Sequence, residues 1–237
     1  MTAMPGFEDA ALSPRGCEAV VNAWSERLGV PTPWFDAAGS RLVERESMEA
    51  VVSVTFAATH VVLGPGRALG LLAPWSGTEH LEPSMMMSLL AELQPREVGT
   101  ATLSFRDAEM PTRGEAEAGT PEAIAAVRGE ASDAEWAESG LADMSDRWVV
   151  RGRDGAPASV AGYEPWAGSL AHLGVLTSSL HRGRGYGGAA VAHAASRAIA
   201  THGVAQWRAS RSNALSQGLA HRLGFVEMGM QSAVALG

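Results

Sequence analysis

The residues with the clearest chemical potential are the run Val175-Leu-Thr-Ser-Ser-Leu-His-Arg182-Gly-Arg-Gly-Tyr-Gly-Gly188, which leads from an apolar strand into an alanine-rich helix. Glycines at 183, 185, 187 and 188 remove side chains from the turn, so backbone N–H groups can approach a ligand closely. They point along the start of a helix, where the aligned peptide dipoles favour negative charge. Strand, glycine turn and helix in that order make a cradle for a pyrophosphate. Arg182 and Arg184 add charge-assisted hydrogen bonds at its rim. A nucleotide-hydrolysing loop needs Lys-Ser/Thr after the last glycine, and Ala189-Ala190 stands there instead. Gly183-x-Gly185-x-x-Gly188 also spells a dinucleotide fingerprint, but no acid for a ribose occurs between Glu164 and Glu227. Only 49 residues follow Gly188, too few to complete a doubly wound sheet.

The third loop of this kind is Arg-x-x-Gly-x-Gly, present as Arg182-Gly-Arg-Gly185-Tyr-Gly187. Downstream lies Asn213-Ala-Leu-Ser216-Gln-Gly-Leu219-Ala-His-Arg-Leu-Gly224-Phe225. Asn213 can cap a helix, Leu215, Leu219 and Leu223 can bury one side, Gly224 suits a left-handed end, and Phe225 can fold back on the last turn. With both motifs in this order, residues 113–237 resemble the GNAT superfamily of acetyl-CoA-dependent N-acyltransferases. The resemblance implies acetyl-CoA in a wedge between two parted parallel strands. Val175, Leu176 and Thr177 would offer the free backbone edge. Arg182, Gly183, Arg184, Gly185, Tyr186, Gly187, Gly188, Asn213 and Ser216 would complete the cofactor contacts. A primary amine, on a small molecule or a peptide, would attack the acyl carbon directly.

Such chemistry needs a base for the ammonium and an acid for the departing thiolate. The family's usual acid is a tyrosine one residue after Leu219, where this chain has Ala220. Ser216, one turn earlier, is the candidate donor, directly or through water, and a small residue there also permits close approach of CoA. Relatives often carry a carboxylate on the strand before the loop, but Leu173-Gly174 offers none. Glu164 is the only acid on the central hairpin and is the candidate base; a surface ion pair is the alternative reading. Trp136, Glu138 and Trp166 fall where the resemblance places the acceptor wall. His172 should face away from Leu173 by strand alternation and reads as packing. His181, His193, His202 and His221 lack metal-ligand spacing with acids, so no metal is expected. Loss of the tyrosine leaves a second function open, an acyl-CoA-binding regulatory module without catalysis.

The elements that must position these residues divide into two regions. Ser13-Pro14 opens an amphipathic helix with Cys17, Val20, Val21, Trp24 and Leu28 on one face, ended by Gly29. Residues 50–57 and 59–63 read as strands, 67–73 and 84–93 as helices, and Ala101, Leu103 and Phe105 alternate with polar neighbours as a strand. Met85-Met86-Met87 reads as core. A polar stretch from Asp107 to Gly119 separates this smaller α/β region, residues 1–110, from the 113–237 unit. In the latter, Thr120-Pro121 and the capping box Ser132–Glu135 open two helices. A hairpin over 147–151 and 158–166 precedes a strand at 170–177, a helix to about 201, a strand at 205–210 and a last strand at 227–236. The fold class expected is α/β with a central mixed, mostly antiparallel sheet. The N-terminal region is open to three roles: a degenerate acyltransferase half, a unit that makes a homodimer, or part of the acceptor wall.

Composition narrows the partners. The chain has 237 residues, 46% hydrophobic and 19% charged, as a folded domain should. No apolar run approaches the roughly 18 residues of a membrane span, and no leader is evident at the N-terminus, so no membrane is expected and the address is the cytoplasm. All 18 basic residues are arginine. Residues 1–146 hold nine of them against 23 acids, a balance of −14, and residues 147–237 hold nine against three, a balance of +6. The basic half suits a compact phosphorylated ligand. Nucleic acid is not expected, since its binders carry a denser basic stripe.

Overall fold

The computed structural model describes residues 12–56, 58–75, 82–112 and 114–237. Most of the N-terminal stretch read for a leader, Ala57 of the first expected strand and Arg113 at the expected domain start lie outside the described residues. Helix α1 spans Pro14–Leu28: Ser13 Oγ accepts from the Gly16 N–H, and Gly29 at φ 64° ends it. Strands β1 (Gly39–Glu44), β2 (Ala50–Phe56) and β3 (Thr59–Gly64) follow, then α2 (Gly66–Leu72), α3 (Pro83–Leu89) and the long β4 (Arg96–Arg106). The helix expected over 84–93 divides into α3 and a tight 3-10 turn at Ala91–Leu93, because Gln94 turns left-handed ahead of Pro95. β1 is an element that the sequence reading does not contain.

The second half runs β5 (Glu117–Ala118), α4 (Pro121–Gly129), α5 (Asp133–Ser139), β6 (Asp146–Arg151), β7 (Pro157–Trp166), β8 (Leu170–Thr177), α6 (Tyr186–His202), β9 (Val204–Ser210), α7 (Ala214–Arg222) and β10 (Val226–Ala235). All ten strands form one sheet in the order β1-β3-β2-β10-β4-β9-β8-β7-β6-β5. β1 pairs with β3 and β8 with β9 in parallel, and the other neighbours are antiparallel. This is the mixed, mostly antiparallel sheet that the sequence led us to expect.

The two sequence regions interleave in the sheet: β10 of the second lies between β2 and β4 of the first. β4, from the first, lies between β9 and β10 of the second, with Leu103 opposite Arg208 on one side and Gly229 on the other. α1 is tied to β9 by the buried bond from Trp24 Nε1 to Gln206 Oε1 (3.0 Å). Alternation along β8 then sorts the core. Ala171 and Leu173 pack under α6 with Ala190, Val191, Ala195 and Ala198, whose small side chains let the helix lie close. Leu170 packs with α1, Trp24 and Phe56, and Leu176 with Ile124 and Val127 of α4. Met86 is fully buried against α2, as a core methionine should be.

Candidate active site

β8 and β9 stay paired only from Leu170↔Val204 to His172↔Gln206. Beyond that point the backbone of Val175, Leu176 and Thr177 has no β9 neighbour, and a cleft of about 820 Å³ opens between the strands. Beside the cleft on β9, the Trp207 indole packs edge-on to Phe225 (5.5 Å between ring centroids). The cleft is walled by β8, the glycine turn, α7 and the last two turns of α5.

At one end lies the start of α6. Gly183 and Gly185 take φ of 72° and 87°, conformations that favour glycine, and they bring the first N–H groups of α6 to the cleft with no side chain capping them. Gly187 sits so tightly that a Cβ there would lie 2.8 Å from Thr177 Oγ1. His181, buried behind the turn, bonds Asp154 through Nε2 (3.2 Å to Oδ2) and Ser178 through Nδ1 (3.3 Å), which pins the turn to the β6–β7 hairpin. The Ala156 N–H and then His181 hold the Asp154 carboxyl below its usual range. Tyr186 lines the cleft, and its hydroxyl accepts from the Arg153 N–H (3.1 Å).

The two rim arginines differ. Arg182 lines the cleft, with Nη2 2.7 Å from Glu135 Oε1 and Nε donating to the Thr177 carbonyl (3.3 Å). Arg184 belongs to a neighbouring depression shared with Arg153 and Asp154.

At the other end of the cleft, Asn213 caps α7 by accepting from the Ser216 N–H (3.0 Å) and donates through Nδ2 to Glu138 Oε1 (3.0 Å). Ser216 Oγ accepts from Trp207 Nε1 (3.0 Å), which leaves its own hydrogen free to donate into the cleft. Ala220 itself is buried. Leu215, Leu219 and Leu223 all line the cleft, as a one-sided α7 requires, but Leu215 is 83% exposed, a correction to its expected burial: α7 starts only at Ala214, so its first turn projects at the mouth.

Glu138 lines the cleft; Trp136, Trp166 and Glu164 do not. Trp136 stacks under Arg128 (5.6 Å), and Trp166 packs on Trp24 of α1 (4.8 Å). Glu164 is half-buried on β7 directly opposite His172 of β8, so the two side chains share a face of the sheet. The other tyrosine, Tyr163, is stacked on Trp148 within the α6 core.

The sequence reading passed over three residues of this end. Trp207 orients Ser216, and its signal is its place one residue past the last parallel pair. His172 lines the cleft, and its Nδ1 is shielded from solvent with no hydrogen-bond partner among the described residues. Burial, and then the nearby Arg208 guanidinium, push its pKa down to about 4, so the ring is neutral and one nitrogen is an acceptor. Arg208 lines the same wall. Among the described residues there is no group of three or more potential metal ligands, and no helix is long and apolar enough to cross a membrane.

This architecture has counterparts. An acetyltransferase of the GNAT family from Colwellia psychrerythraea shares 12% identity over 95% of this chain and 97% of its own, with a TM-score of 0.50. A GCN5-related N-acetyltransferase-like protein from Streptococcus suis shares 14% identity over 94% and 100%, again with a TM-score of 0.50. At such identities these are likenesses of fold. A GCN5-related N-acetyltransferase from Kribbella flavida shares 19% identity over 65% of this chain and 64% of its own, with a TM-score of 0.47. No curated protein matches the chain. Residues 117–225 match the acetyltransferase (GNAT) family itself, and they span the parted strands, the glycine cradle and α7, so this stretch is a GNAT acetyltransferase domain.

Proposed function

We propose that the protein is an acetyl-CoA-dependent N-acetyltransferase that acts on a primary amine in the cytoplasm. The observation that carries this reading is the uncapped start of α6, with Gly183 and Gly185 in left-handed conformations, opening onto a cleft where β8 leaves its backbone free. The fit to CoA is chemical: N–H donors and a helix dipole suit the pyrophosphate, and a free strand edge suits the amides of the pantetheine arm. Acetyl-CoA supplies an activated acyl carbon and a sulfur leaving group.

In the reaction, a C–N bond forms as the C–S bond breaks, the amine gives up a proton and the thiolate takes one up. Ser216, whose Oγ accepts from Trp207 Nε1, is the proposed source of the second proton. Glu164 is the proposed acceptor of the first, reaching the amine directly or through one water. Asn213 holds the first turn of α7 and Glu138 together at the acceptor end. An unassisted thiolate is a tolerable leaving group near neutral pH, so a missing tyrosine does not by itself imply inactivity. Residues 113–237 are the proposed transferase. Residues 1–110 are its structural complement, a reading supported by β4 within the sheet and Trp24 against β9.

The test is release of CoA thiol from acetyl-CoA in the presence of a broad amine panel, alongside calorimetry of acetyl-CoA binding. Binding with amine-dependent thiol release supports the enzyme. Binding without release on any amine would favour the non-catalytic acyl-CoA module, and absence of binding would overturn both.

A further inference from the structure

The cleft holds a cation set back from the glycine turn. Arg208 lies on β9 two residues beyond Gln206, the partner of His172 in the last parallel pair, and so on the same face of the sheet as His172. The parallel register carries Arg208 to about the level of Gly174, and the glycine turn begins past Thr177, three residues further along β8, about 10 Å of extended chain. Arg182 is the cleft arginine placed at that turn. Arg208 takes no part in an ion pair among the described residues, and its one polar contact there is a long one from Nη1 to Gln231 Oε1 (3.4 Å).

Beside Arg208 stands the second open group. His172 Nδ1 is shielded from solvent and unbonded among the described residues, which costs free energy unless a ligand completes it. The ring is neutral, so it can accept a hydrogen bond from an amine N–H without repelling it. Glu138 and Glu164 put negative charge around the same end, which suits a protonated amine on arrival. A lone guanidinium presents two parallel donors, the pattern that matches a planar carboxylate.

We propose that the acceptor amine carries a carboxylate, as an amino acid does, with Arg208 binding the carboxylate and His172 accepting a hydrogen bond from the amine. This names the acceptor class for the acetyl transfer proposed above and rests on that reading.

The test compares each of several α-, β- and ω-amino acids with its own primary amide and with the amine lacking the carboxyl group. In the wild-type protein the best amino acid should exceed its amide in kcat/KM by roughly 10- to 100-fold, the worth of one charge-assisted hydrogen bond pair. Arg208→Gln should erase that preference, and Arg208→Lys should keep part of it. Acetyl-CoA affinity, measured by calorimetry, should stay unchanged in both and reports folding independently. Equal kcat/KM for acid and amide, a preference that survives in Arg208→Gln, or a stronger preference for aminoalkyl phosphonates would each overturn the inference. So would acetyl-CoA binding with no amino acid acetylated. Failure to bind acetyl-CoA would instead remove the transferase reading beneath it.

Discussion

The two halves of the molecule contain the same local design, a buried strand that turns through glycine into a helix, and treat it in opposite ways. After β3, Gly64-Pro65-Gly66 leads into α2, and the Gly66 N–H donates to Glu46 Oε1 at 2.9 Å. A Cβ on Gly66 would meet Glu46 Oε1 at 2.7 Å and Glu44 Oε2 at 3.1 Å, so two carboxylates crowd that helix start. After β8, the start of α6 has no side-chain cap among the described residues. The helices also differ in length, seven residues against 17. Histidines repeat the contrast. His60, buried in the first half, bonds Ser53 Oγ through Nε2 (2.6 Å) and Ser40 Oγ through Nδ1 (3.3 Å), while His172 keeps a nitrogen unbonded among the described residues at the cleft. A strand–glycine–helix junction becomes a site where the chain leaves its polar groups unanswered, and becomes structure where it answers them itself. The charge split of −14 and +6 is the same contrast at the scale of the sequence.

The strongest test of this comparison reverses the state of α6. Gly188 lines the cleft in the first turn, and a Cβ there meets only Leu219 Cδ1 at an ordinary 3.7 Å. Gly188→Asp therefore adds a carboxylate without strain, whereas Gly187→Asp would collide with Thr177. Loss of one or two charge-assisted bonds plus like-charge repulsion should lower CoA affinity about 10³-fold by calorimetry, with the melting temperature nearly unchanged. The companion change, Glu46→Gln at α2, should leave one CoA bound per chain at unchanged affinity. A second equivalent of CoA in Glu46→Gln would show that the two junctions differ only by their plug.

Next in size is Glu164, an acid of the second half with no hydrogen bond or ion pair among the described residues. Glu164→Gln keeps the shape and removes the proton acceptor. Turnover should fall by roughly 10²-fold, at the lower end of general base catalysis because a water can intervene, with acetyl-CoA affinity retained. The deficit should shrink as pH rises and the amine deprotonates in solution. Wild-type turnover across pH 6 to 9 would remove Glu164 from the reaction.

Much of this is legible in the sequence, because it is local. The caps at Ser13, Thr120, Ser132 and Asn213, the hairpin turn at 152–155 and the glycine cradle all rest on contacts within a few residues. What was hidden is long-range. The alternation of Ala101, Leu103 and Phe105 announces a strand, but its neighbours β9 and β10 lie more than 90 residues on. β1 was missed because Gly39-Ser-Arg-Leu-Val-Glu44 has little alternation, and parallel pairing with β3 and the helices above it decide its state. Trp166 reads as a cleft aromatic until α1 brings Trp24 against it. His172 reads as packing because its open nitrogen depends on where β9 leaves β8.

His172 also carries a prediction about stability. In the unfolded chain its pKa is near 6.5 and in the fold about 4, so between those values the unfolded state binds the extra proton. The fold should lose up to about 3 kcal/mol from this group as pH falls from about 6.5 to about 4, and none of it above pH 7. The carboxyls of Glu135 and Asp154, held below their usual range, take stability away further into acid in both proteins. Chemical denaturation of His172→Gln should therefore show a flatter pH dependence than wild type over pH 4 to 6.5. Parallel curves would mean that the fold accommodates the protonated ring, which requires an acceptor facing the nitrogen, and its contrast with His60 would go.

The smallest effect tests whether the open α6 junction is wholly open. Glu135 serves two masters: it closes the capping box of α5 by accepting from Ser132, and it pairs with Arg182 at the rim of the cradle. The Ser132 N–H, its hydroxyl and then Arg182 hold the Glu135 carboxyl below its usual range, so it is ionised wherever the protein would work. CoA phosphates must share or displace that carboxylate to reach Arg182. Glu135→Gln keeps a residue able to complete the capping box and removes the competing charge. Since the pair is largely solvent-exposed, the gain is modest: CoA affinity should rise about two- to fivefold at low ionic strength. Screening should erase the gain in roughly 0.5 M salt, where the Debye length falls to a few ångströms. A fall in affinity would mean that Glu135 holds Arg182 in the posture that phosphate requires, and the ion pair would then belong to the site as a support for the arginine.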